Sequence, residues 1–240
     1  MSRYYPIDGI EINAARGLVK DTTVVNIFGK SLGTTSVVTT EYRTPWEFAS
    51  DYTFPTTATR VSLVSTAADT STILVIGLDA NFNQIQESVV LTGTTPVLTD
   101  ATFLRINTAL VVSGNPTGDV TLSINSSPAA KILIGTGKSQ AAHYTVPAGY
   151  CFYLYRINAF ATDSNGGKAA YFRNFVENNV NGVILRVAET QFYEAMDIQR
   201  RFPFKYDEKQ DIKMQLKSSS GSIDGSVFAE GILIKNPIGG

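Results

Sequence analysis

The sequence predicts an all-β protein, with two tandem β-sandwich or jelly-roll-like modules behind an extended N-terminal arm. Three observations carry this. Charged residues make up only 17% of the 240, below the roughly one quarter of typical globular chains, and Thr, Ser, Val, Asn and Gly take their place, a composition of strands and turns. Apolar residues recur with period 2 in runs of strand length, separated by Gly-, Pro- and Asn-rich turn signals. No apolar stripe of period 3.6 is long enough for a helix. The one candidate is a short helical turn at Gln191 to Met196.

Residues 1–45 form the arm. Their apolar runs are broken by Gly and Thr, and none has the length or alternation to make a core. Two readings follow: an irregular segment packed on its own domain, or an arm, about Ile7 to Thr44, that reaches a neighbouring subunit. Residues 46–125 form the first β module, of five or six strands. In "ATRVSLVST", Val61, Leu63 and Ser65 share one side. "STILVIGLD" is a continuous apolar run, expected as a central strand covered on both faces. "QIQESVVLTG" sets Ile85, Glu87, Val89 and Leu91 against Gln86, Ser88 and Val90, and the intervening "DANFN" suits a hairpin.

Residues 126–131, "SSPAAK", read as a linker. Residues 132–240 form the second module, with the seven or eight strands of a jelly roll. Its turn signals include Pro147-Ala148-Gly149, expected to join a hairpin, and "DSNGG". Its last run sets Val227, Ala229, Gly231 and Leu233 against Phe228, Glu230, Ile232 and Ile234.

Motifs for chemistry are incomplete. "GTGKS" ends like a phosphate-binding loop, but the first glycine of that pattern is replaced by Ile132, and the following residues read as strand rather than helix. The single histidine, His143, lies eight residues from the single cysteine, Cys151, across the expected hairpin, too sparse a set for zinc. A buried inert thiol is the commoner fate of such a cysteine, and one cysteine excludes an internal disulfide. Asp79, Asn81 and Asn83 resemble the start of a calcium loop, but Gln84 and Val90 stand where such a loop needs Gly and Glu. The carboxylates Glu177, Glu189, Glu194, Asp197, Asp207, Glu208 and Asp211 sit in charged stretches that read as solvated. No catalytic, cofactor or metal site is therefore assigned. The net charge of −1 gives no basic surface for nucleic acid or an anionic membrane. The start lacks a secretory apolar region, and no apolar run approaches 18 residues. The expectation is a protein made in a cytoplasm that acts through its surface.

Two contact surfaces are legible. The rings Phe152, Tyr153, Tyr155, Phe160, Tyr171, Phe172 and Phe175 are read as sandwich core with alternate rings outward, or as a contact face. "QRRFPFKYDEK" sets Arg200, Arg201 and Lys205 around Phe202 and Phe204. The candidate interface residues are Ile10, Ile12, Arg16, Leu18 and Phe28 in the arm, with Arg200, Arg201, Phe202 and Phe204.

"EINAARGLVK", "VIGLDANFNQIQESVVLTGTTPV…TFLRIN", "YTVPAGYCFYLYRINAFA" and "PFKYDEKQDIKMQL…VFAEGILI" together span most of the chain. They resemble virion structural proteins of tailed phages, nearest those of marine phages infecting cyanobacteria. The most specific piece is the order of turn, alternation and Thr-Gly end in "GLDANFNQIQESVVLTG". The resemblance implies a non-enzymatic virion component without assigned catalytic residues or cofactor. Its partners would be other virion proteins, either the major capsid protein or neck and tail proteins, and it would form a homo-oligomer, trimer or hexamer. A capsid decoration or cement protein is the first expectation. A neck, tail or baseplate part (a fibre or its adaptor) is the second, and a host-surface glycan-binding module the third.

Overall fold

The computed structural model describes residues 10–38, 41–162 and 167–236. Helix α1 (Ile10–Ala15) precedes β1 (Thr22–Ser31) and the short β2 (Val37–Val38). Seven strands follow: β3 (Thr59–Ser65), β4 (Thr72–Leu78), β5 (Gln84–Val90), β6 (Val97–Phe103), β7 (Arg105–Ser113), β8 (Val120–Ile124) and β9 (Ser127–Ile132). The remainder is β10 (His143–Thr145), β11 (Tyr150–Thr162), β12 (Ala169–Asn178), β13 (Ile184–Tyr193), β14 (Ala195–Tyr206), β15 (Gln210–Ser218) and β16 (Ser222–Lys235). The fold is all-β, as expected. The first nine residues and the turn expected at 163–166 lie outside the described residues.

Strands β3–β9 form a sandwich of two antiparallel sheets, in orders β6-β3-β8-β9 and β5-β4-β7. Its core runs from Val61 to Ile132 and includes Leu63, Ile73, Phe103 and Leu122. The period-2 reading places residues correctly: Val61, Leu63 and Ser65 are buried, and Val89 points in while Val90 points out. β4 is central, but alternate residues are only half-buried, so its cover is heavier on one face.

The second sandwich faces the order β1-β16-β11-β14 against β10-β15-β12-β13. Its core includes Phe152, Phe172, Met214 and Val227, together with Ile27 and Val37 from the first 45 residues. Those residues are not a free arm ahead of both modules. β1 pairs with β16 in register from Thr22↔Ile234 to Ser31↔Gly225, and β2 pairs with its other end. The physical reason is that β16 alternates a buried face and has an open edge. β1 satisfies that edge while burying Ile27. The first module is thus inserted between β2 and β10 of the second.

Three further expectations are corrected. Residues 126–131 are not a linker: Asn125 and Ser126 both have positive φ, at 50° and 63°, the geometry of a two-residue hairpin turn. They fold β9 back onto β8, with Pro128 tolerated because β9 is an edge strand. Pro147-Ala148-Gly149 does not join a hairpin. β10 pairs with β15 and β11 with β14 and β16, so the turn is a corner between facing sheets. Gln191 to Met196 is not helical. It lies in β13 and β14, which are separated at Glu194 with φ 58°.

Candidate assembly surface and the buried module joint

β13 and β14 are consecutive in sequence but lie in opposite sheets, each as the outermost strand. Among the described residues both of these outer edges are unpaired, and both fall on one side of the second sandwich. β13 and the turn before it expose Val180, Val183, Ile184, Leu185 and Tyr193. An edge strand already offers an unpaired row of N–H and C=O groups, and apolar side chains along it make it a template for another surface.

β14 adds a second feature. Leu154 pairs with Phe204 and Arg156 with Gln199, so Arg200–Pro203 are looped out opposite the single residue Tyr155. Pro203, which cannot donate to a ladder, fits an interruption at an edge. The bulge carries Phe202, 78% exposed. The Arg200 guanidinium lies 3.2 Å from the centroid of the Phe204 ring, and Arg201 sits 5.8 Å from that of Phe202. Arg200, Arg201, Phe202 and Phe204 are thus brought together.

The arm residues are not brought to the same place. β1 and β14 are opposite edges of one five-stranded sheet, in which β2 also pairs with β16, about 14 Å apart at the spacing of paired strands. Ile12 and Leu18 are exposed on α1 and the loop after it. Arg16 closes the helix end, its amide donating to the Ile12 carbonyl. Ile10 opens the helix, and its side chain lies outside the described residues. Phe28 is half-buried opposite Phe228 and lines a cavity of about 360 Å³ between the modules. It belongs to the interior joint rather than to an outer surface.

The groups with chemical potential are used structurally. His143 is buried, stacked 3.7 Å from the Tyr52 ring and edge-on to Phe54. Burial, with Lys213 and Arg105 nearby, pushes its imidazole down to about 3. It is neutral at neutral pH and does not approach Cys151 as a hairpin partner. Cys151 is buried, and that burial raises its thiol. Asp79 accepts from the amides of Asn81 and Asn83 at 2.8 and 2.9 Å and from the Asn83 side chain at 3.1 Å, so its carboxylate serves the hairpin. "GTGKS" forms a turn after β9 whose Ser139 accepts from the Ala109 amide and extends the edge of β7. Among the described residues, no group of three or more His, Cys, Asp or Glu could hold a metal ion. No helix there is long and apolar enough to cross a membrane.

One carboxylate read as solvated is deeply buried. Asp211 on β15 takes Arg105 of β7 in a two-pronged pair, Nε to Oδ1 at 3.0 Å and Nη2 to Oδ2 at 2.7 Å. Asp211 also accepts from Thr145 Oγ1 and, at 2.8 Å, from Asn179 Nδ2. Arg105 donates to the Pro55 and Leu104 carbonyls and lies over Phe54 and Phe82. This cluster joins the two modules. Asn107 and Thr145 bridge them again, at 2.9 and 3.0 Å. The available signal was an arginine alone inside an apolar strand, "FLRIN".

No protein family profile matches the chain, and no curated protein matches it. Among solved structures, the chain is similar to a subviral particle of infectious bursal disease virus VP2, with 10% identity over 91% of this chain and 72% of that one, at a TM-score of 0.23. A T=1 particle derived from the same virus gives 10% identity over 91% and 79%, at a TM-score of 0.14. Scores this low do not establish a shared fold.

Proposed function

We propose that this chain is a non-enzymatic structural protein of a tailed-phage virion, bound as a decoration protein to the outside of the capsid. The carrying observation is the open side of the second sandwich. Two free strand edges there expose Ile184, Leu185, Tyr193 and Phe202, on a chain whose histidine, cysteine and Asp211 are committed to its own packing. The sequence resemblance to phage virion proteins supports the same reading. Docking then runs through the β13–β14 side, with the exposed α1 residues Ile12 and Leu18 as a separate contact. Many identical copies make such contacts add, and closed symmetry, a trimer or hexamer, suits a shell.

The test is the copy number in purified particles, measured by quantitative mass spectrometry against the major capsid protein. A simple fraction of the capsid subunit count is expected. A dozen copies or fewer would replace this reading with a neck, tail or baseplate role, and absence from particles would end both. A Phe202→Ser, Ile184→Ser variant should lose attachment to undecorated capsids while unfolding as the wild type does, because exposed substitutions change stability by only about 0.5 kcal/mol.

A further inference from the structure

The outer face of the β10-β15-β12-β13 sheet carries an open groove of about 470 Å³. Its wall is the segment before the first module, with Glu41, Tyr42 and Asp51. Its floor is Arg173 and Phe175 of β12 with Lys213, Gln215 and Lys217 of β15. The charges do not balance inside it. Asp51 takes Lys213 at 3.0 Å, and Glu41 takes Arg43 at 3.0 Å. Glu189, at the rim, takes the Tyr42 hydroxyl at 2.8 Å and Arg186 at 4.0 Å. Arg173 is left with a neutral partner: its Nε and Nη2 both donate to Gln215 Oε1, at 3.0 and 2.7 Å. Gln215 is buried and fixed from its other end by Asp51 at 3.1 Å. Lys217 makes no hydrogen bond or ion pair among the described residues; its ammonium only lies 5.7 and 5.9 Å from the Tyr42 and Tyr171 rings. Neither Arg173 nor Lys217 forms an ion pair among the described residues; Glu189 and Asp51 act on Arg173 from a distance, and its guanidinium lies 4.2 Å from the Tyr42 ring centroid and 5.6 Å from that of Phe175. Burial first, then the like charge of Arg186, press the Arg173 guanidinium downward, and the nearby Tyr42, Glu189 and Asp51 offset this only in part.

We propose that this groove binds an acidic saccharide, with its carboxylate or sulfate on Arg173 and Lys217 and its ring against Tyr42 and Phe175. Arginine held in a fixed plane by Gln215 is suited to a planar or multi-oxygen anion. Aromatic rings accept the apolar face of a sugar while the rim remains polar. The exposed carboxylate of Glu41 offers an acceptor for sugar hydroxyls. The same rim acids disfavour a nucleic-acid strand, which brings a phosphate about every 3.4 Å, where the groove offers two cations without an ion pair among the described residues.

Isothermal titration of the full chain tests this. The probes are tetragalacturonate and a sulfated heparin disaccharide, against fully methyl-esterified tetragalacturonate, poly-glutamate and oligo(dT). At least one acidic sugar should bind while the ester does not. Lys217→Gln should weaken binding about tenfold, the worth of one charge-assisted contact. The variant should fold normally, because Lys217 holds nothing in place. Lys20→Gln, at a lysine 92% exposed and away from the groove, should change nothing. Binding of neither acidic sugar, equal binding of the ester, wild-type affinity in Lys217→Gln, or equal affinity for poly-glutamate or oligo(dT) would each overturn the proposal.

Discussion

Removing the Asp211 carboxylate should open the joint between the modules. The side chains of Arg105 and Asp211 are 5% and 1% exposed. In an Asp211→Ala chain the guanidinium keeps the Pro55 and Leu104 carbonyls but loses its counter-charge among the described residues, and Thr145 and Asn179 lose their acceptor. Breaking one side of a buried pair costs about 3–5 kcal/mol. For a chain of this size that lowers the melting temperature by about 6–20 °C. The double variant Arg105→Met, Asp211→Leu should cost clearly less than the sum of the two single changes, because no buried charge is left unpaired. Trp46, the only tryptophan, packs on Tyr52 beside this joint, so its fluorescence reports the joint while far-UV circular dichroism reports both sandwiches. Urea titration of Asp211→Ala should move the fluorescence transition to lower urea and ahead of the dichroism transition. If both single variants cost under about 1 kcal/mol, or the costs simply add, the pair is not what holds the modules together.

Two pH responses follow from groups outside that pair. His143 is neutral in the folded protein, with its pKa depressed to about 3, while in the unfolded chain it takes up a proton near 6.5. The unfolded state therefore binds more protons between these values, and stability falls as pH drops through that window by about 1.4 kcal/mol per pH unit. His143→Phe keeps the stack on Tyr52 and should flatten the slope of the urea midpoint between pH 6.5 and 5; an unchanged slope would contradict the assignment. Asp69 ties the β3–β4 loop to the β7–β8 loop, accepting from Ser65 Oγ, from the Thr117 amide and hydroxyl at 2.8 Å each, and from the Gly118 amide at 3.1 Å. The Ser65 and Thr117 bonds hold its carboxyl down to about 2. Its stabilisation is present above the ordinary carboxylate range and is lost as pH falls toward 2. Asp69→Asn should weaken the first sandwich at neutral pH and remove the acid sensitivity between pH 4 and 2, read by hydrogen exchange of those loops.

Strand content was legible because alternation is local: a run such as Val61, Leu63, Ser65 reports its face wherever the strand is placed. Pairing was not, because it is set by partners far along the chain. β1 carries Val24, Val25 and Ile27 without clean alternation, since only part of one face is covered, and nothing in it names β16 as its neighbour. The hairpin at Asn125-Ser126 carries no Gly marker, because Asn and Ser themselves adopt the positive φ there. Phe202 was recognisable from its company of arginines. The β13 edge was not, because Val183, Ile184 and Leu185 are consecutive apolar residues, the pattern of a buried strand.

The nested topology divides the chain into one part that contains its own core and one that does not. Every core residue of the first sandwich lies between Val61 and Ile132, so a fragment of residues 57–140 should fold cooperatively alone. The second sandwich needs β1 and β2, which pair with β16 across about 200 residues of intervening chain, from Thr22↔Ile234 to Ser222↔Val38. Closing such a loop costs only about 0.6 kcal/mol more for each doubling of its length, and a folded insert shortens it further. The expense lies in leaving β1 out. A chain beginning at residue 39 would bare the edge of β16 and uncover Ile27 and Val37 contacts that are otherwise sealed. Such a chain should aggregate or lose the cooperative transition of the second sandwich while the first still melts normally, read by calorimetry beside the 57–140 fragment. If the truncated chain keeps both transitions and fails only in binding to particles, the first 38 residues act as a docking arm after all, and the pairing of β1 with β16 is not required for the fold.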